Sequence, residues 1–324
     1  MSYSWPPLLE SPLSAPAPHD VYFGRIDAGW NPETRRHLWE SRAFGVMFDN
    51  VGSVEAADLQ EARKRRGHGD KEWWTAAGYT NQYGIEALER MQAAIDRRAL
   101  VFVDFRGLEG ETVMIGRAVG PIRIVPIVET YTKGTRRGET GTSRYKCMGV
   151  EEPRFFALDP VLAAMRPQQA TFTAWPSAAK RVRAIYECLP LEREVEALTP
   201  GQLEALCYEY LRAVDPGLRL LLPVGRTLPD IDIYGIRPSG ERVAAQVTHS
   251  GSGSSTVRSK AASLARAGGA ARRVLFAGRQ AIAEARSAVE NLLPTVQLVA
   301  VEDAFSAIDA ATPWFIDAML AAKS

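Results

Sequence analysis

From residue 198 to residue 302 the chain switches between two hydrophobic periods in an order that few folds can accept. LTPGQLEALCYEYLRAV (198–214) is helical, with Thr199 placed to cap it. Pro200 stands at its first position, where a missing N–H costs nothing. LRLLLPVG (218–225), IDIYGIR (231–237) and RVAAQVTH (242–249) are strands, the last two joined by the turn PSGE (238–241). VRSKAASLARAG (257–268) is a helix ending at Gly268–Gly269. ARRVLFAG (271–278) is a strand, QAIAEARSAVENLL (280–293) a helix and VQLVAVE (296–302) a last strand. The order α-β-β-β-α-β-α-β predicts a mixed sheet with helices on both faces, an α/β domain over 198–324.

The first half reads differently. NQYGIEALERMQAAIDR (81–97) has apolar residues at Ile85, Leu88, Met91 and Ile95, which is helical spacing. A further helix is expected around 54–66. RALVFVDFRGL (98–108) starts a strand, GLEG fits a hairpin turn, and ETVMIGRAVGPIRIVPIVETY (111–131) continues with two more strands punctuated by Gly116, Gly120 and Pro121. This predicts an α+β domain over 20–175 with a barrel-like core. Residues 1–19, rich in proline and serine, read as a flexible arm. Residues 176–197 read as a largely helical connector, broken at Pro190.

At 324 residues the chain has room for two domains, and its 46% hydrophobic and 24% charged residues are those of a soluble globular protein. No run approaches the roughly 18 apolar residues of a membrane helix, and the N-terminus lacks the basic and apolar regions of a secretory signal. A cytoplasmic protein without a membrane partner is expected. The three cysteines, Cys147, Cys188 and Cys207, are far apart and odd in number, so they read as reduced thiols. None of the four histidines is paired at ligand spacing.

Net charge is +1, so any affinity for a polyanion has to be local. EARKRRGHGDK (61–71) carries Arg63, Lys64, Arg65 and Arg66; KGTRRGETGTSRYK (133–146) carries Lys133, Arg136 and Arg137. Solvated loops and phosphate contacts both fit these stretches. The K-E-W-W-T sequence after the first basic stretch holds Trp73 and Trp74. Adjacent side chains on a strand face opposite ways, so one of these rings is either packed under a loop or exposed for stacking on a base.

The C-terminal pattern resembles the PD-(D/E)XK nuclease superfamily, and within it the Mrr-like restriction endonucleases, over about residues 198–310. The opening helix LTPGQLEAL carries an acid at Glu204, and LPDIDIYG carries Asp232 where the family has its metal-binding aspartate, with Asp230 two residues earlier. AAQVT matches the Mrr-type Gln-x-Lys at Gln246 but not at Thr248. VLFAGRQAIAEA resembles the late strand and helix of the family. The resemblance implies hydrolysis of DNA phosphodiesters with Mg²⁺ or Mn²⁺. Magnesium needs hard oxygen ligands, which Asp232, Asp230 and the amide carbonyl of Gln246 offer. Alternation would put Asp230 and Asp232 on one face of their strand and Gln246 and Thr248 on one face of theirs. Glu204 would complete the shell or orient a water.

Threonine at 248 lacks the lysine's charge, and alternation turns His249 to the other face. Lys260 or Arg258, on the helix after SGSGSS (250–255), is the candidate replacement. The serines and glycines of that loop also offer N–H groups to a phosphate.

The N-terminal helix leading into VFVDF…G…VMIGRAVGP is similar to the PUA-like superfamily and its EVE-type domains, small β-barrels that read modified or flipped bases. Together the two resemblances imply a modification-dependent restriction endonuclease, homodimeric so as to cut both strands. The alternative is a nuclease fold decayed at Thr248 that binds without cutting, as a nucleic-acid sensor in an antiviral defence system. A third reading has the N-terminal domain binding RNA.

Overall fold

The computed structural model describes residues 21–26, 31–47, 82–107, 112–131, 137–167, 171–224, 231–249, 251–266, 268–292 and 295–321. The expected helix at 54–66 lies outside them. The chain divides between Leu189 and Pro190 into two compact units. Both are mixed α/β, each built on a mixed sheet flanked by helices.

The first unit carries β1 (Val21–Ile26), α1 (Pro32–Glu40), β2 (Ala43–Val46), α2 (Gln82–Asp96), β3 (Leu100–Phe105), β4 (Thr112–Thr130), β5 (Thr140–Ala157), α3 (Pro160–Met165), β6 (Phe172–Ala174) and α4 (Ala179–Glu187). Its strands order as β2-β5-β4-β3-β1-β6, with β1 and β3 parallel and the other pairs antiparallel. The two strands expected over 111–131 are one strand, β4. Register shifts at Ile115/Arg117 and Val119/Arg123 bend it without ending its ladder with β5. Gly116 is required there, because a Cβ would stand 2.6 Å from the Glu151 carbonyl oxygen.

The barrel expectation is corrected: the described ladder is open, with β2 and β6 at its edges. A small barrel fills its interior with side chains and has one outer face to cover. This sheet carries apolar layers on both faces. Val101, Val103 and Phe105 pack towards Leu38 of α1 and Leu88 and Met91 of α2. Leu100 and Phe102 pack towards Leu162 of α3 and Val182 and Ile185 of α4. The helical period read at 81–97 thus turns Leu88 and Met91 inward, with Ile95 packed against the same core.

Trp175 is buried at 5.1 Å from Phe23 and 5.4 Å from Phe102, and the partly buried Trp39 packs edge-on to Phe105 against the core. Residues 179–187, within the span read as a connector, form α4. A buried ion pair holds it: Asp159 caps α3 by accepting from Val161 and Leu162 N–H, and takes both Nε and Nη2 of Arg181 at 2.9 Å.

The second unit carries α5 (Pro200–Val214), β7 (Arg219–Leu220), β8 (Ile233–Ile236), β9 (Arg242–Val247), α6 (Ser254–Arg266), β10 (Arg272–Ala277), α7 (Arg279–Ala285), β11 (Gln297–Ala300), α8 (Val301–Ala311) and α9 (Pro313–Leu320). The strands order as β11-β10-β9-β8-β7; β9, β10 and β11 are parallel, and β7, β8 and β9 antiparallel. The helix expected from residue 257 begins at Ser254, inside the SGSGSS stretch, three residues before its hydrophobic period starts.

Thr199 caps α5 in a reciprocal capping box with Gln202, a contribution of about 1 kcal/mol. One face of the sheet, Val243, Ala245, Val247, Val274 and Phe276, packs against Leu203, Leu206, Cys207 and Leu211 of α5 and Phe305 of α8. The other, Ala244, Leu275 and Ala277, packs against Val257, Ala261 and Leu264 of α6. Among the described residues no helix is long and apolar enough to cross a membrane.

Candidate active site

The candidate site is assembled where β8 stops pairing with β9. Their ladder ends at Ile233↔Ala245, and Asp232 lies in a bend just before the strand. Its N–H still donates to the Ala245 carbonyl at 3.0 Å. Its Oδ2 accepts the N–H of Val247 at 2.8 Å. A side-chain carboxylate thus bonds the backbone of β9 just beyond the last β8–β9 pair. Asp232 stands in a bend between the bridge residue Ile231 and β8. Asp230 lies outside the described residues.

The carbonyl of the same residue, Val247, accepts from Lys260 Nζ at 3.4 Å. In an extended strand the N–H and C=O of one residue point to the same edge. The Asp232 carboxylate and the Lys260 ammonium therefore approach β9 from one side and flank a single residue. Lys260 reaches it because it lies one turn after Val257 and beside Ala261, both buried against the sheet. Arg258 falls on the exposed face of α6. Of the two cations considered as replacements, Lys260 is the one at the end of β9.

Gln246 pairs with Leu275 across β9 and β10, on the face that α6 covers. It is 2% exposed, and its Oε1 is buried without a hydrogen-bond partner. A buried polar atom left unpaired costs about 1–3 kcal/mol, so this amide oxygen is a cost to the fold that a ligand would remove. Replacing Gln246 with leucine is accordingly expected to stabilise the metal-free protein by about 1 kcal/mol. Denaturant unfolding of the two chains in a chelator checks this.

Thr248 is 3% exposed, and both its N–H and its hydroxyl donate to the Phe276 carbonyl, at 2.9 Å and 3.2 Å. Its side chain is committed to the backbone of β10. His249 beside it is exposed. Glu204, one turn before Cys207 on α5, is half-buried. Burial raises the Cys207 thiol well above its usual range, and the negative charges of Glu204 and Asp232 raise it further. The charges of both carboxylates thus act on one buried thiol, on the face of the sheet that α5 covers.

Among the described residues no three His, Cys, Asp or Glu side chains gather to hold a metal ion. The donors present are one carboxylate, Asp232, and the unpaired amide oxygen of Gln246. Both are hard oxygens suited to Mg²⁺ or Mn²⁺.

Of the residues read as nucleic-acid contacts, Arg63, Lys64, Arg65, Arg66, Trp73, Trp74, Lys133 and Arg136 lie outside the described residues. Arg137 is exposed in the turn before β5. The residue missed by sequence reasoning is Val247. It joins Asp232 and Lys260 through its peptide groups alone, and no side-chain pattern signals that.

No protein-family model matches the chain, and no curated protein matches it. Among solved structures it is similar to a repair endonuclease from Pyrococcus abyssi, with 12% identity, 60% of this chain and 78% of that chain covered, and a TM-score of 0.22. It is also similar to the MspJI restriction endonuclease in complex with a 27-mer oligonucleotide, with 15% identity, 86% and 73% covered, and a TM-score of 0.26.

Proposed function

We propose that the protein is a divalent-metal-dependent DNA endonuclease of the Mrr-like PD-(D/E)XK kind, acting in a modification-dependent restriction system. The observation that carries this reading is that Asp232 and Lys260 bond the N–H and the carbonyl of one residue, Val247, at the end of β9, next in sequence to Gln246, whose amide oxygen is buried without a partner. Asp232 through its second oxygen and Gln246 through Oε1 would hold Mg²⁺ or Mn²⁺. Bound there, the metal supplies a Lewis acid for the phosphate and an activated water.

The chain's own groups do the rest. Val247 N–H fixes the Asp232 carboxylate. Lys260, held by the Val247 carbonyl, supplies the positive charge that threonine at 248 does not, beside the phosphate and the attacking water. Glu204 is the further acid available to orient that water. The first unit would read a modified base in the manner of PUA-like modules, and a homodimer would cut both strands in the cytoplasm.

The commitment of Thr248 to the β10 backbone favours a second reading, a nuclease fold that binds nucleic acid without cutting it. One experiment separates the two. Purified protein with Mg²⁺ or Mn²⁺ is incubated with unmodified, 5-methylcytosine and 5-hydroxymethylcytosine DNA. Cleavage of at least one modified substrate is expected. Binding to all three with cleavage of none supports the second reading and removes the first.

A further inference from the structure

The far halves of β4 and β5 form a two-stranded ribbon. In the described ladder, β3 pairs β4 only through Arg117, and β2 pairs β5 only through Lys146. From Val125↔Tyr145 to Thr130↔Thr140 the two strands pair with each other alone. The ribbon has two unlike faces. On one, Ile127, Glu129, Ser143 and Tyr145 are buried. The acid on that face is held in place: Glu129 accepts from Thr34 of α1 at 2.6 Å and from Tyr145 at 2.9 Å. Asn31, the cap of α1, donates to the Thr130 carbonyl at 2.7 Å. The helix thus covers the inner face and Glu129 with it, while Glu139, paired with Tyr131 at the end of the ribbon, is exposed.

The other face consists of Pro126, Val128, Thr130, Thr140, Thr142 and Arg144, all exposed, with Val128 at 64%. The pairs Pro126↔Arg144, Val128↔Thr142 and Thr130↔Thr140 make it a continuous strip about 17 Å long. It carries no acid. Arg144 is its only charge, and Arg137 and Glu139 stand exposed beyond its end.

The geometry points to this strip as a docking face for the major groove of duplex DNA. The inference rests on the reading of the protein as a DNA endonuclease and says which surface meets the substrate. Two strands abreast fit a groove about 12 Å wide. The strip offers what base edges and phosphates accept: a guanidinium for guanine or phosphate, hydroxyls that donate or accept, and an apolar side chain for a thymine methyl. A second copy of the chain fits less well, since a self-complementary contact would bring like charges together around a single exposed valine.

The test uses the full chain in metal-free buffer, so that binding is read apart from cleavage. Affinity for a fluorescein-labelled duplex is followed by anisotropy over a series of salt concentrations, for wild type, Arg144→Glu and Val128→Asp. Both sites are exposed, and circular dichroism checks that the variants fold. Arg144→Glu is expected to weaken binding about tenfold and to lower the salt slope by about 1. Val128→Asp is expected to weaken binding about tenfold with the slope of wild type.

Wild-type affinity in both variants, with cleavage by wild type intact, overturns the ribbon and leaves the nuclease reading standing. A wild type that neither binds nor cuts overturns both. Self-association lost in Arg144→Glu, with duplex affinity unchanged, would make the strip a contact between copies and overturns the proposal.

Discussion

Asp232→Asn is expected to abolish metal-dependent cleavage, with a loss on the order of a thousandfold or more, while leaving the protein about as stable as wild type. The two outcomes separate because the proposed site gives Asp232 two tasks. One oxygen accepts the Val247 N–H at 2.8 Å and so closes the end of the β8–β9 ladder. An asparagine carbonyl can accept the same bond, so the fold is kept. The negative charge that a metal requires is gone.

Asp232→Ala removes both, and should cost a further roughly 1–3 kcal/mol of stability, because a backbone N–H at a buried strand end loses its acceptor. Cleavage assays with Mg²⁺ and Mn²⁺, run beside denaturant unfolding of the three chains, read both effects. An Asp232→Asn chain that cuts at the wild-type rate would remove Asp232 from the chemistry.

Lys260→Met is expected to lower the cleavage rate by about 10²–10³, the usual effect of deleting one group that stabilises charge developing in a transition state. Methionine keeps the length and apolar stem of the side chain, so the packing of α6 through Val257, Ala261 and Leu264 should survive. Lys260→Arg should recover part of the rate, since it restores charge without the compact ammonium. Arg258→Met, on the exposed face of the same helix, should leave the rate within about twofold of wild type. Rates from single-turnover cleavage decide the matter. Equal rates for Lys260→Met and wild type would mean that no cation replaces the lysine missing at position 248.

Much of the second unit can be read from the order of its segments. Thr199, Pro200 and Gln202 announce the start of α5 through local hydrogen bonding, and the period of 257–264 announces α6. The choice between Arg258 and Lys260 is implicit in that same period, because Val257, Ala261 and Leu264 define the buried face and only Lys260 borders it. Local pattern misled where bonding is not local. Glycine and proline in 111–131 suggested a break between two strands, whereas β5 pairs along nearly the whole length and the irregularities become bulges in one strand. The barrel expected for the first unit rested on strand content and on a resemblance carried by one helix and a strand pair, neither of which reveals that helices cover both faces.

The sequence by itself determined the segments, the candidate donors Asp232 and Gln246, and the absence of lysine at 248, since each follows from side-chain chemistry and short-range spacing. Only the tertiary structure decided that the Asp232 carboxylate accepts the Val247 N–H, that the Gln246 oxygen is buried without a partner, and that Lys260 reaches the same residue as Asp232. All three depend on where β8 ends against β9 and how α6 lies on the sheet. Those positions follow from packing between segments distant in the chain, which no residue pattern within one segment encodes.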